Sequence, residues 1–121
     1  MPELPEVETI KNTLKKLVIG ETISQVDVFW PKIVQYPNLN EFKQKLIGQT
    51  IHNILRKGKF LIYELTDDVL ISHLRMEGKY SVCEQAEPID KHTHVIFTLI
   101  SGKQLRYNDV RKFGTMHVYP K

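Results

Sequence analysis

Apolar residues recur at helical spacing near the start of the chain, and the pattern changes to alternation after about residue 50. The first group repeats every three or four positions and comprises Val7, Ile10, Leu14, Leu17 and Val18. This spacing predicts a helix from about Pro5 to Val18 with one apolar face packed on a core, and Gly20 is a suitable stop.

Two further segments precede the change of pattern. Residues from Ile23 to Trp30 alternate, with valines on one side, and predict a strand. Pro31 and Pro37 then indicate loop. Asn38 followed by Glu41 is typical of a capping box, and the apolar residues behind it predict a short amphipathic helix.

From Thr50 onward the chain is predicted to form short strands separated by turn residues. The predicted strands are Thr50 to Arg56, Phe60 to Leu65, Val69 to Leu74, Lys79 to Cys83, Val95 to Ile100, Lys103 to Tyr107 and Thr115 to Tyr119. Both faces of the segment around Phe97 are apolar, so that strand is expected at the centre of a sheet. Ser101-Gly102 is expected to form a two-residue hairpin turn. The pattern predicts a mainly β fold with flanking helices, arranged as a two-layer antiparallel β-sandwich with an N-terminal helix.

Composition places few restrictions on function. The 121 residues suit one domain, and 17 basic against 14 acidic residues give a net charge of +3. That excess lies entirely in residues 56–121, although a mild excess alone does not indicate nucleic-acid binding. A single cysteine, Cys83, excludes an internal disulfide and fits a reducing cytosol. The sequence has no apolar run near the ~18 residues of a membrane span, and its start lacks a signal-peptide profile.

The first nine residues, Met1 to Thr9, combine groups capable of covalent chemistry. Removal of Met1 leaves Pro2 with a free secondary amine, and an α-amino group titrates near ~8. Such an amine can attack electrophilic carbon and form a cationic Schiff base, while Glu3 can move protons beside it. If Met1 is retained, the nitrogen of Pro2 is a tertiary amide without a usable lone pair. The alternative interpretation is an ordinary frayed terminus with Pro5 in the first helical turn.

Three later segments carry candidate binding groups, each with a plainer alternative. The segment from Arg56 to Phe60 places three cations around a glycine at a strand junction. The glycine could allow another backbone to approach closely, or the segment could be a solvated basic turn. His73 to Tyr80 holds a methionine before a glycine, either an exposed apolar finger or a core residue. Tyr107 to Gly114 holds an arginine two residues before a phenylalanine. These two could contact a base edge and wedge between bases, or form a hairpin rim over the core.

The Lys91-His92-Thr93-His94 segment raises the question of a metal site together with Cys83 or His73. Its spacing fits no closed four-ligand pattern, so no metal is expected. His52, His94 and His117 receive no role from the sequence.

The segment Pro2 to Thr9 resembles the amino terminus of bacterial formamidopyrimidine-DNA glycosylases, the base-excision enzymes for oxidised guanine. The resemblance continues through the three later segments to Gly114. It implies that Pro2 is the nucleophile and that Glu3 is the proton shuttle. It also implies that Lys59, the final lysine of the basic turn, lies in the active site near damaged base and phosphate.

The same resemblance assigns a DNA-binding set. Met76 is implied to enter the space vacated when the damaged nucleotide flips out, while Arg111 faces the orphaned cytosine and Phe113 wedges beside it. His73 is implied to help hold phosphate. His92, in a segment like the family's lysine-histidine segment before a central strand, is also assigned to DNA binding.

The implied activity is that of a bifunctional glycosylase and lyase that removes oxidised purines, 8-oxoguanine and formamidopyrimidines, through a Pro2 Schiff base with β,δ-elimination. Its implied partner is damaged double-stranded DNA, with no membrane, and a monomer in the bacterial cytoplasm is expected. Chains of the family continue into a helix–two-turn–helix domain and, usually, a four-cysteine zinc finger.

Residues 1–121 are therefore expected to be the catalytic N-terminal domain of a longer enzyme, without zinc or another cofactor. By itself this piece is expected to bind DNA poorly and to excise negligibly. The alternative is a non-catalytic β-sandwich that binds DNA or protein.

Overall fold

The computed structural model describes residues 4–121, and its first element is the helix α1, Leu4–Val18. The predicted helix is confirmed to within one residue at its start. Val7, Leu14 and Val18 are buried in the core. Leu17 was expected on the same apolar face but is 46% exposed, because the helix covers the sheets with a narrower stripe than the sequence suggests.

Nine strands and a second helix follow in the described part of the chain. The strands are β1 Ile23–Val28, β2 Val34–Tyr36, β3 Asn53–Lys57, β4 Phe60–Glu64, β5 Asp68–His73, β6 Lys79–Glu84, β7 Thr93–Leu99, β8 Lys103–Asn108 and β9 Thr115–Pro120. The second helix, α2, spans Leu39–Leu46, and a short 3-10 turn spans Pro31–Ile33. The side chain of Asn38 accepts a hydrogen bond from the backbone N–H of Glu41 at 2.9 Å, which confirms the predicted cap.

The strands form two sheets that enclose one core. The four-stranded sheet has the order β1-β7-β8-β6, and the five-stranded sheet has the order β2-β9-β5-β4-β3. Every residue of β7 is buried, and β7 lies inside its sheet as predicted. Tyr80 of β6 donates its hydroxyl to Ser72 of β5 at 2.7 Å, a contact that joins the two layers. Neither helix within residues 4–121 is long and apolar enough to cross a membrane.

Three local predictions differ from the structure. The strand β2 was expected to be loop, and it pairs in parallel with β9, so the sandwich is not wholly antiparallel. Three residues after a turn that begins with proline are too few to show an alternating pattern. This strand is defined only by its pairing with β9. The hairpin after β7 holds three residues, Ile100 to Gly102, with Gly102 at φ +96° donating to the Leu99 carbonyl at 2.9 Å. The strand predicted from Thr50 begins only at Asn53.

Candidate nucleic-acid interface

The loop between β8 and β9 is built around the buried carboxylate of Asp109, which is 0% exposed. Its Oδ1 accepts from the backbone N–H groups of Arg111 and Lys112 at 3.1 Å each, and its Oδ2 accepts from Gly114 at 2.8 Å. An aspartate that binds its own following backbone N–H groups stabilises a tight turn. The loop backbone is thereby fixed, while the side chains of Arg111 and Phe113 remain exposed.

Two neighbours hold Asp109 in place. The Tyr107 hydroxyl donates to its Oδ2 at 3.0 Å, and burial raises the pKa of Tyr107 well above its usual range, so the proton stays on the donor. The Nε2 of His94 lies 2.6 Å from the Asp109 carbonyl oxygen. Because a carbonyl only accepts, Nε2 must carry the proton. His94, which the sequence left without a role, therefore anchors this loop to β7.

The loop between β5 and β6 presents Met76, which is 38% exposed. Leu74 at its start is buried, and the Gly78 N–H donates to the Leu74 carbonyl at 3.0 Å. Arg75 adopts a left-handed backbone with φ +56°, which turns the chain sharply before Met76. The predicted alternative of a core methionine is not what the structure shows at this position.

Both loops pack against the hydroxyl of Tyr107. A Cβ added to Gly78 would lie 2.5 Å from that oxygen and equally close to the Leu74 carbonyl. A Cβ added to Gly114 would overlap the same hydroxyl and come within 3.0 Å of the His73 carbonyl. Only glycine permits these approaches, so one buried tyrosine sets the spacing of the two loops.

The two loops share a recess. Arg75, Met76 and Phe113 line a space of about 320 Å³. The Nε of Arg111 lies 3.6 Å from Oε1 of Glu77, which adds an ion pair between the loops. Of the three residues assigned to filling a vacated base position, Met76 and Phe113, which is 51% exposed, thus share the recess, and Arg111 reaches the same loop through Glu77.

A larger groove of about 720 Å³ opens beside the start of α1. It is lined by Pro5, Glu6, Thr9, Ile10, Met76, Glu77, Gly78, Lys79 and Tyr80. Met76 borders both this groove and the recess it shares with Phe113. Pro2 and Glu3, the predicted nucleophile and proton shuttle, lie outside the described residues.

The basic turn between β3 and β4 is tied to α1 through Arg56. Its Nε lies 2.7 Å from Oε1 of Glu8, and its Nη1 donates to the Gly58 carbonyl at 3.1 Å. The hydrogen bond from Lys11, followed in size by the one from Arg56, holds the pKa of Glu8 below its usual value. The sequence assigned Glu8 only to the helix dipole, because its partner lies 48 positions away.

His73 lies next to this turn with a defined protonation pattern. Its Nδ1 accepts from the Arg75 backbone N–H at 3.0 Å, and its ring meets that of Phe60 edge-on at 4.3 Å. Burial, followed by the charges of Arg75 and Lys59, lowers the pKa of His73. Neutral His73 therefore carries its proton on Nε2, where it can donate to an anion.

His92 makes two hydrogen bonds through its backbone. Its N–H donates to Asp90 at 2.6 Å, and its carbonyl accepts from the Asp109 N–H at 2.9 Å. Among residues 4–121, no group of three or more histidine, cysteine, aspartate or glutamate side chains is placed to hold a metal ion.

Comparison with known proteins gives consistent matches. Residues 1–116 match the family described as "Formamidopyrimidine-DNA glycosylase N-terminal domain". The formamidopyrimidine-DNA glycosylase of Oceanobacillus iheyensis is 60% identical over 121 residues, covering 99% of this chain and 43% of the relative. That of Bacillus subtilis is 58% identical over 120 residues, covering 98% and 44%.

Solved structures agree with this similarity. The Lactococcus lactis Fpg protein in complex with abasic-site DNA superposes with a TM-score of 0.93 at 42% identity, covering 98% of this chain and 44% of that one. The same protein bound to DNA containing N7-benzyl-Fapy-dG gives 0.93 at 43% identity, with the same coverage. This chain thus spans less than half the length of each of these relatives.

Proposed function

Because the chain belongs to the formamidopyrimidine-DNA glycosylase family, we propose that it carries the lesion-processing site of a base-excision DNA repair enzyme. Residues 1–121 would form the N-terminal catalytic domain of a longer chain, since the curated relatives in the comparison are more than twice as long. The substrate would be damaged duplex DNA with oxidised purines, handled by a monomer in the bacterial cytoplasm.

The observation that carries this proposal is the position of Met76 between two spaces. On one side it borders the groove at the start of α1, and on the other it borders the recess with Phe113. An enzyme that acts on a base must take it out of the stack and compensate for the hole. A flipped nucleotide in the groove would leave a hole that Met76 would enter, and Phe113 and Arg111 would fill the rest of it from the second loop.

The chemistry would begin at Pro2 after removal of Met1. The Pro2 nitrogen attacks the anomeric carbon of the sugar, and the electron pair of the glycosidic bond leaves with the base. The departing base takes up a proton from solvent. Glu3 accepts the proton that the Pro2 amine loses and passes it to the ring oxygen as the sugar opens, giving a cationic Schiff base. Loss of a proton from the neighbouring carbon then expels the 3′ phosphate, and a second elimination expels the 5′ phosphate. The Schiff base is itself the electron sink, so the proposed reaction calls for no cofactor in this chain.

Phosphate binding would fall to His73 and Lys59. The neutral His73 ring offers its Nε2 proton, and the charge of Lys59 lies near enough to lower the His73 pKa. Two adjacent donors, one of them cationic, suit a phosphate that flanks a flipped nucleotide. His92 would support DNA binding by holding the backbone of Asp109, at the base of the loop that carries Arg111 and Phe113.

Borohydride trapping tests the assignment of Pro2 in the full-length enzyme. With Met1 removed, a reducible Schiff base should give a covalent DNA adduct at Pro2. Intact-mass measurement establishes the state of Met1 before the assay. Pro2→Gly retains a primary amine and is expected to keep part of the trapping.

A matched preparation that retains Met1 is the control. Equal trapping by that preparation would refute the role of Pro2, because its nitrogen is then an amide. Damaged-duplex binding without any trapping in the processed enzyme would favour a non-catalytic DNA-binding β-sandwich instead.

The 121-residue chain by itself is expected to bind damaged duplex weakly and to excise negligibly. Each phosphate that a protein neutralises adds a counterion-release contribution, and this chain has a net charge of only +3. Titration of damaged duplex at several salt concentrations should show a shallower salt slope than for the full-length enzyme. Binding and excision at the level of that enzyme would contradict this expectation.

A further inference from the structure

Trp30, the only tryptophan in the sequence, lies just after β1 and contacts the loop that follows β8. Its side chain is partly buried and packs against the core. The Nζ of Lys112 lies 4.2 Å from the centroid of the Trp30 ring. An ammonium group at this distance over a tryptophan face is attracted by the negative face of the ring.

The backbone of Lys112 is unusual in the same place. Its φ of +59° is a left-handed conformation that residues other than glycine rarely adopt. The Asp109 carboxylate holds the Lys112 N–H, and Trp30 holds the other end of the residue. The side chain of Lys112 is thereby directed to Trp30, while its neighbour Phe113 lines the recess with Met76.

We propose that Trp30 is a positioning residue for the loop between β8 and β9, which carries Arg111 and Phe113. Its cation–π contact with Lys112 holds the loop so that Arg111 and Phe113 face the loop between β5 and β6, which carries Met76. Asp109 fixes the base of the loop from inside the fold, and Trp30 fixes its far side from the segment that follows β1. The inference rests on the proposed function for the roles of Arg111 and Phe113, but the contact itself can be measured without DNA.

Lys32 provides a matched control. Its Nζ lies 5.7 Å from the same ring centroid, yet it belongs to the 3-10 turn that follows Trp30 and not to the loop. Lys32→Met therefore removes a cation near the tryptophan without changing the loop. Lys112→Met removes the charge and keeps an unbranched apolar side chain, and Lys112→Arg restores a cation that stacks on aromatic rings.

The first experiment measures Trp30 fluorescence and backbone NMR order parameters in the 121-residue chain, after circular dichroism has confirmed folding of each variant. Lys112→Met should shift the Trp30 emission and lower the order parameter of the Phe113 amide from about 0.85 toward about 0.6. Lys112→Arg should restore both values, and Lys32→Met should leave the Phe113 amide unchanged. An equally ordered Phe113 amide in Lys112→Met would overturn the proposal.

The second experiment uses the full-length enzyme on damaged duplex. Lys112→Met should lower kcat/KM about two- to five-fold, the change that corresponds to one exposed cation–π contact, and Lys112→Arg should restore it. A disordered loop with unchanged kcat/KM would overturn the positioning role. Failure of the proposed function would appear separately, as a wild-type enzyme that excises nothing and gives no borohydride adduct, while the loop measurements would still stand.

Discussion

Met76 and Phe113 are 38% and 51% exposed on two neighbouring loops, and truncating either to alanine should cost the fold little. The chain contains a buried partner of each type for comparison. Met116 in β9 is 0% exposed, and Phe97 in β7 is 1% exposed. The four alanine variants therefore separate residues presented to a ligand from residues that hold the core.

The expected magnitudes follow from burial. Complete burial of such a side chain contributes about 1.5–3 kcal/mol. Because Met76 and Phe113 keep a large exposed fraction, their truncation should lower the free energy of unfolding by at most about 1–2 kcal/mol, with no enclosed cavity. Met116→Ala should cost about 2–5 kcal/mol and Phe97→Ala about 3–5 kcal/mol, since each leaves a cavity between the sheets.

Thermal unfolding of the 121-residue variants, followed by far-UV circular dichroism, measures these differences. A loss of 1 kcal/mol lowers the Tm of a domain this size by roughly 3–6 °C. The loop variants should therefore melt clearly above the core variants. The same Met76 and Phe113 substitutions in the full-length enzyme should weaken processing of damaged duplex.

Losses for Met76→Ala and Phe113→Ala as large as those of Met116→Ala and Phe97→Ala would refute this reasoning. Such a result would mean that the loop side chains pack in the core in solution. If the variants are instead stable and fully active on damaged duplex, neither Met76 nor Phe113 belongs to the DNA-binding set.

Three further predictions concern polar groups. Asp109→Ala leaves several buried donors without their acceptor and should cost about 3–5 kcal/mol in urea unfolding, whereas Glu77→Ala, which breaks only a partly exposed pair, should cost under about 1 kcal/mol. His73 should titrate below 6.5 by NMR. The unfolded chain then binds this proton at a higher pH than the folded chain does. The contribution of His73 to stability should therefore decrease as pH falls below 6.5. A His73 pKa above 6.5 would contradict the burial argument. Glu8→Gln should destabilise the chain near pH 7. The difference in unfolding free energy between this variant and the wild type should vanish as pH falls below 4.5 and through the lower pKa of Glu8 in the folded chain. A difference that does not depend on pH would exclude the ion pairs as its cause.

The pattern of apolar positions was sufficient for most of the elements. A helical repeat defines α1 and alternation defines most of the strands, because each element must bury one face whatever its partners are. The predicted centre of a sheet was found at β7, since a strand with two apolar faces requires cover on both sides. The strand β2 has three residues and exists only through its pairing with β9, so no local signal could define it.

The candidate site likewise contains residues that local motifs identified and residues that only the tertiary structure identified. Met76, Arg111 and Phe113 were identified from motifs in their own segments. The structure brings Met76 and Phe113 to one recess and pairs Arg111 with Glu77, the residue after Met76. The residues that hold those loops were not identified. Tyr107 looks like an ordinary strand residue in the sequence, yet its hydroxyl meets both loop glycines.

The remaining supports join distant parts of the chain. His94 anchors Asp109 from 15 positions away, Arg56 reaches Glu8 across 48 positions, and Trp30 receives a lysine from the loop after β8. The sequence by itself determined which residues are apolar or charged and where most helices and strands lie, because those patterns act over one turn or one strand. Only the tertiary structure decided which of them meet, because contacts between loops depend on the register and stacking of two sheets.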